Sequence, residues 1–552
     1  MKINKLVLFA ALTTLAIPFL SGCHKAPEES EEKPLEIGDT VKEWRSTNDY
    51  EEAPLLPAKK TDAGQIVEDF GNEDKCSLKY EINTSSTYIG SDVLEEPYFL
   101  EDDMKNGDIV SLWFYAPSDS NLASLQLQIY PVSMNNPVKG KTVTISEENT
   151  DVWTEIEMTY DSLETLGAIR LYPKATSAAA PMVFYVDDIH ITYGEETVKT
   201  DYEYNDESLY RAYEDYFKVG ACMSAQMLQN TELRKIAKHN FNSLTAENEG
   251  KPEQILDQKT CKALVKDDPT AVAITVKPFE KLYDFCEKNH IKVRHHTFVW
   301  YSQTPAWFFN KNYTDSGAKV DKQTMLGRME NFIKVTLETI NERWPGLVYA
   351  IDVANEAIDN NTIRNNNNNW YTVVGKDFVY YAFKYARMYA AEDQKLYYND
   401  YSYDYNTNNC KYALNTLLKE TIEEGLIDGV GIQGHIDADQ DMKVVMNDAK
   451  LIHEKGLECQ ITELDITING TSKAEYTKQQ KAYKNLLTKV LQANLAGETN
   501  ITAMVVWGIN DNASWKRNQY PLLFTEKYGK KPAYYGFLEA LESVQPAEEV
   551  SE

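Results

Sequence analysis

The chain has 552 residues, room for roughly two to four domains at about 100 to 200 residues each. Its 43% hydrophobic and 11% aromatic content supplies real cores and excludes a disordered body. The 85 acidic against 56 basic residues leave a net charge of −29, which disfavours nucleic acid and anionic membrane surfaces as partners; the 36 tyrosines are compatible with sugar binding.

In chain order, Lys2 and Lys5 precede an apolar run over 6–20 that ends in Leu20-Ser21-Gly22-Cys23. This reads as a secretory leader over 1–22. Leu-Ser-Gly-Cys resembles a bacterial lipobox, so Cys23 is the expected lipidation site and the protein is expected to be exported and lipid-anchored to the membrane or cell surface. No other stretch approaches the roughly 18 apolar residues of a membrane span. Residues 23–57 are charged and contain proline, and predict a flexible acidic tether. From 58 to 196, short alternating runs at 77–82, 109–115, 125–130, 153–158, 168–172 and 182–193 predict an all-β jelly-roll sandwich. Phe184-Tyr185-Val186-Asp187-Asp188-Ile189 resembles the closing strand of galactose-binding-like jelly rolls, which include carbohydrate-binding modules, so this domain is expected to bind glycan. A structural calcium held through residues such as Glu68 and Asp188 is the one metal this reading admits. Cysteines 76, 222, 261, 286, 410 and 459 are scattered singly, without zinc spacing, and are expected as buried thiols.

Over 202–543, strand candidates at 217–221, 241–244, 292–298, 347–353, 395–398, 430–433, 458–462 and 502–507 alternate with amphipathic stretches such as 329–340 and 476–491. Eight strand–helix alternations predict an α/β chain, with a (β/α)8 TIM barrel after the sandwich. Residues 544–552 predict a disordered acidic tail.

In such barrels the chemistry gathers at the C-terminal strand ends. Glu356 follows the fourth strand and Glu463 the seventh, and a carboxylate pair across one barrel is what glycosidic cleavage requires. Neither local motif carries the reading alone: Asn-Glu also occurs at Asn72, Asn248 and Asn341, and Thr-Glu-Leu at Thr231. His435 and Asp465 can hold Glu463 oriented and ionised, whereas apolar neighbours and the charge of Glu463 should raise the pKa of Glu356.

The strings Phe241-Asn242-Ser243-Leu244-Thr245-Ala246-Glu247-Asn248-Glu249, His296-Thr297-Phe298-Val299-Trp300, Tyr398-Asn399-Asp400-Tyr401, Gly431-Ile432-Gln433-Gly434-His435 and Trp507-Gly508, with those around Glu356 and Glu463, resemble glycoside hydrolase family 10. The resemblance covers about 202–541. It implies an endo-β-1,4-xylanase with no catalytic cofactor and no catalytic metal, acting as a monomer on xylan and xylo-oligosaccharides. Glu356 would be the acid/base, Glu463 the nucleophile of a retaining mechanism, and Asn355 the holder of the sugar's 2-hydroxyl. Glu247, Asn248, Lys251, His296, Trp300, Gln303 and Gln433 would line the glycone side, with Tyr401 a further substrate contact. Trp507 and Trp515 would form an aromatic floor, Trp515 crowding the place of a hydroxymethyl group. Two departures stand near these residues, Tyr301 where the family has histidine and Pro252 where it has tryptophan, and both are expected at the glycone subsites. Three readings stay open beside this one: a related barrel glycosidase on another β-glycan, an inactive glycan-binding lipoprotein, and a metal site at the carboxylates and His435.

Overall fold

The structure, a computed structural model, describes residues 37–38, 40–44, 65–72, 76–83, 88–89, 106–133, 137–177 and 180–544. The expected leader, Cys23 and most of the expected tether and tail lie outside the described residues.

Alternation builds the first unit. In β5 (Leu122–Pro131), which follows β1 (Thr40–Trp44), β2 (Gln65–Glu68), β3 (Cys76–Ile82) and β4 (Ile109–Tyr115), the side chains of Leu125, Leu127 and Ile129 are fully buried, while Gln126 and Gln128 face outward. The remaining strands are β6 (Lys139–Thr144), β7 (Trp153–Thr159), β8 (Leu166–Ala175) and β9 (Met182–Thr192). They form two antiparallel sheets, β2-β3-β9-β4-β7 with β1 also on β9, and β6-β5-β8. Their inner faces share one core that includes Leu78, Val110, Leu125, Ile156, Leu171 and Phe184. The expected tether is corrected here. Thr40–Trp44 is a strand of the larger sheet, paired antiparallel with Ile189–Thr192. So short and charged a segment carries little signal of its own, because its order comes from the ladder that β9 offers.

The second unit is a closed barrel of eight parallel strands: β10 (Lys218–Met223), β11 (Ser243–Ala246), β12 (Lys292–Trp300), β13 (Val348–Asn355), β14 (Lys395–Asp400), β15 (Gly429–Ile432), β16 (Glu458–Thr467) and β17 (Ile501–Val506). Each pairs with its neighbour in sequence and β17 closes on β10. The strands are apolar runs buried on both faces, as a sheet wrapped by helices requires. The long helix Lys322–Arg343 starts at Asp321, whose carboxylate accepts from the Thr324 N–H, and it buries Met325, Met329, Phe332, Ile333, Leu337 and Ile340 at helical spacing. Helix Lys473–Leu495 starts likewise at Ser472. Cys222, Cys261, Cys286, Cys410 and Cys459 are buried free thiols.

The two units touch through the loop before β8. Thr165 N donates to Gln229 O and Thr231 N to Leu163 O, each at 2.8 Å, and Arg234 donates from Nη1 to Thr165 Oγ1 at 3.1 Å.

Candidate active site

Glu463 lies inside β16, which runs five residues further than the sequence suggested, and the pairing of β16 with β17 shifts register between Ile461 and Leu464. A bulge of this kind re-aims a side chain beside a site. The Glu463 carboxylate accepts from Asn399 Nδ2 at 2.7 Å and lies 3.3 Å from His435 Nε2. His435 Nδ1 is 2.8 Å from Asp465 Oδ2, and the His435 N–H donates to Asp404 Oδ2 at 2.8 Å. Burial alone would push Glu463 up and His435 down. The bond to Asp465 and then that to Glu463 raise His435 to about 10, and the bond and charge of His435, with the Asn399 amide, bring Glu463 down to about 2. His435 thus stands between Asp465 and Glu463, one ring nitrogen toward each.

Glu356 follows β13 with φ +53°, a left-handed conformation uncommon for glutamate. Its N–H donates to Asn399 O at 2.9 Å and its carbonyl accepts from Arg364 Nε at 3.0 Å. The carboxylate accepts from Trp300 Nε1 at 2.9 Å and Gln433 Nε2 at 3.0 Å. Its pKa is nonetheless raised, first by burial and further by the charge of Glu463, against the lowering bond from Gln433. One glutamate is thus held charged and the other biased toward the proton.

A cavity of 510 Å³ joins them. Asn355, Glu247, Asn248, Lys251, His296, Trp300, Tyr401, Gln433, Trp507 and Trp515 all line it. Lys251 Nζ donates to Asn248 Oδ1 at 2.9 Å and sits 4.8 Å from the Trp300 ring centre. His296 Nδ1 is 2.8 Å from Asp352 Oδ2, and Trp507 packs 5.6 Å from the His296 ring. Trp515 donates from Nε1 to Asp465 Oδ2 at 2.9 Å with its ring 59% exposed. Gln303 and Asp465 stand one layer back: Gln303 Nε2 reaches Asn248 Oδ1 at 3.3 Å, and Asp465 holds His435 and Trp515.

Tyr301 follows Trp300 directly. Trp300 pairs with Asn355 across β12 and β13, so the next residue emerges beside Glu356. The Arg364 guanidinium lies 4.3 Å over the Tyr301 ring and donates to Tyr401 OH at 3.1 Å. Pro252 does sit with Lys251, opening the short helix Pro252–Ile255.

Several groups had no reading in the sequence. Asn399 Nδ2 donates both to Glu463 and, at 2.9 Å, to Asn355 Oδ1, its amide oriented by the Thr462 hydroxyl at 2.6 Å. Arg294 forms a two-pronged ion pair with Asp352 beneath His296. Asp404 accepts from both Gly434 N and His435 N. All stand at or just beyond a strand's polar end or beneath a site residue, the one signal that could have found them. Among the described residues no group of three His, Cys, Asp or Glu is disposed to hold a metal ion.

The glycosyl hydrolase family 10 model matches residues 208–540. The chain is 41% identical over 335 residues to a bifunctional endo-1,4-beta-xylanase XylA of Ruminococcus flavefaciens, covering 59% of this chain and 33% of that protein. It is 34% identical over 339 residues to endo-1,4-beta-xylanase B of Butyrivibrio fibrisolvens, covering 60% and 53%. The chain thus spans a third to a half of the length of these curated relatives. Among solved structures, the CBM22-1–GH10 modules of Clostridium thermocellum xylanase 10B, complexed with xylohexaose, match with TM-score 0.60 at 27% identity, over 88% of this chain and 94% of that one. An intracellular xylanase of Thermoanaerobacterium saccharolyticum, complexed with xylotriose, matches with TM-score 0.54 at 30% identity, over 60% and 99%. With a family model matched over more than half its length, onto a barrel whose two glutamates are oppositely poised, the chain belongs to glycosyl hydrolase family 10.

Proposed function

We propose that the protein is an endo-β-1,4-xylanase, hydrolysing internal bonds of xylan with retention and without a cofactor. The observation that carries this is the opposite poise of two pocket glutamates that share one neighbour: Asn399 accepts the Glu356 N–H on its backbone and donates to Glu463 from its side chain. Glu463, ionised, attacks the anomeric carbon while Glu356 gives its proton to the departing oxygen. Asn355 meets the 2-hydroxyl, a bond that strengthens as the ring flattens. Once Glu463 is esterified its charge is gone, the pKa of Glu356 falls, and Glu356 takes a proton from the water that releases the sugar. The relatives' printed xylanase names and sugar complexes support xylan as substrate.

The test is reducing-end release from arabinoxylan, with the anomer of the product followed by NMR. Release of β-anomer by the native chain and background release by Glu463→Ala are expected. An α-anomer overturns the nucleophile, products only from another β-glycan overturn the substrate, and binding without release leaves a glycan-binding protein.

The sandwich is proposed as a carbohydrate-binding module. On the outer face of β5 and β8, Tyr130 OH donates to Gln128 Oε1 at 2.6 Å and lies 2.9 Å from Tyr172 OH, with Arg170 4.8 Å over the Tyr130 ring. Aromatic rings fixed among amides suit a pyranose. Retention on insoluble xylan should fall in Tyr130→Ala with oligosaccharide turnover unchanged. Lipid anchoring through Cys23, and so export, rests on the leader pattern and would be tested by fatty-acid labelling of the native chain against Cys23→Ser. A calcium in the sandwich would rest on Asp188, buried and bonded by Asn72 Nδ2 at 2.8 Å, and would show as a calcium-dependent Tm.

A further inference from the structure

Beside the catalytic pocket lies a second, larger cavity of 780 Å³, inside the roughly 300–1,000 Å³ range of small-molecule sites. The two share Glu247 and Trp515 in their linings, so they adjoin at the exposed indole. The indole is fixed: Trp515 is tied to Asp465 through Nε1 and stands edge-on to His435 at 5.1 Å. The lining of the second cavity also includes Asn512 and Arg517 of the segment after β17, Gln226 of the short helix Ala225–Leu228 after β10, and Glu164 of the sandwich. Glu164 is no accident of a loose linker. It is bridged antiparallel to Asn230, between the backbone bonds of Thr165 and Thr231 described above.

The chemistry of this wall is mixed and polar. Arg517 is exposed and has no ion-pair partner among the described residues, and Asn512 offers both a donor and an acceptor. The Glu164 carboxylate accepts one bond, from Ser133 N at 3.3 Å, and keeps acceptor capacity. Donors, acceptors and one exposed aromatic face in an open trough suit a neutral chain of hydroxylated rings.

We infer that the glycone side of the groove continues through this cavity to the sandwich, which takes the third and further β-1,4-xylosyl units from the point of cleavage and supplies Glu164 to them. The inference rests on the xylanase reading, and it makes the sandwich part of the substrate groove rather than a tethered accessory.

Aryl β-xylosides extended only on the glycone side test it: the 4-nitrophenyl bioside, trioside and tetraoside, with the full chain. For the native protein kcat/KM is expected to rise about tenfold from bioside to tetraoside, what one or two net hydrogen bonds supply. Asn512→Ala with Arg517→Ala should flatten that rise and leave the bioside unchanged. Glu164→Ala, a surface change in the other domain, should remove part of it and serves if the double variant folds poorly. Equal kcat/KM across the three substrates, or a rise that survives both variants, overturns the inference while leaving the xylanase standing. A bioside that is not cleaved at all overturns the activity and this inference with it.

Discussion

Glu356 and Glu463 are the same side chain at similar burial, and their partners separate them. Glu463 has His435 and Asn399 donating to it; Glu356 has neutral donors and the charge of Glu463 against it. Activity needs Glu463 ionised, so it is lost as pH falls through the pKa of Glu463, and needs Glu356 protonated, so it is lost as pH rises through the pKa of Glu356. In Asp465→Asn the His435 cation loses its anchor, burial then dominates Glu463, and the acidic limb of kcat/KM should move up, narrowing the profile from below. Arg364 acts at the other limb. It grips the carbonyls of Glu356 and Ile358, each at 3.0 Å, and its charge lowers the Glu356 pKa. Arg364→Met should therefore move the basic limb up and cost about 10²-fold in kcat, the scale of a 1 Å misplacement. Both glutamates were legible because a carboxylate after an apolar strand run has little structural reason to be there. Asn399 and Arg364 were not, since their use depends on what the adjacent strand or loop presents to them.

At the scale of elements, the barrel strands were legible as apolar runs at helix-leaving intervals, and the alternating strands of the sandwich likewise. What escaped were features set by pairing: β1, which exists because β9 receives it, and the register shift at Glu463, which no run of residue types encodes. The same pairing explains Gly431. A Cβ there would come within 2.3 Å of Asn399 Oδ1 and 2.8 Å of Thr462 Cγ2. Asn399 cannot swing aside freely, being held at once by Thr462, Asn355 and Glu463. Gly431→Ala is expected to cost about 1–3 kcal/mol of stability by overpacking and to lower kcat more than it raises KM, because it displaces the residue that holds the Glu463 carboxylate and the Glu356 backbone. Urea unfolding and steady-state kinetics on the same sample would check both; a destabilised variant with native kcat would show that Asn399 tolerates the shift.

For the whole molecule, the question is whether sandwich and barrel unfold as one body. Their contact is small and polar, and such interfaces ordinarily leave domains free to move. This one, however, has a buried centre: Arg234, 5% exposed, reaches out of helix Thr231–Asn240 to Thr165 Oγ1 and back to Leu228 O at 2.7 Å, bracing the strand-like pairing of 163–165 with 229–231 from below. A hydrogen bond from a charged group is worth about 1.5–3 kcal/mol, and truncating it also leaves the Leu228 carbonyl without its donor. Arg234→Met keeps the stem that packs on the helix and removes only the guanidinium. Calorimetry of the native chain should show the two units melting in one coupled transition; in Arg234→Met the sandwich should separate as an earlier one, with the barrel's transition moved little. The aryl bioside should be turned over as before, since no residue of the 510 Å³ pocket is touched. The tetraoside should lose its advantage, because a sandwich that no longer docks no longer brings Glu164 to the far end of the groove.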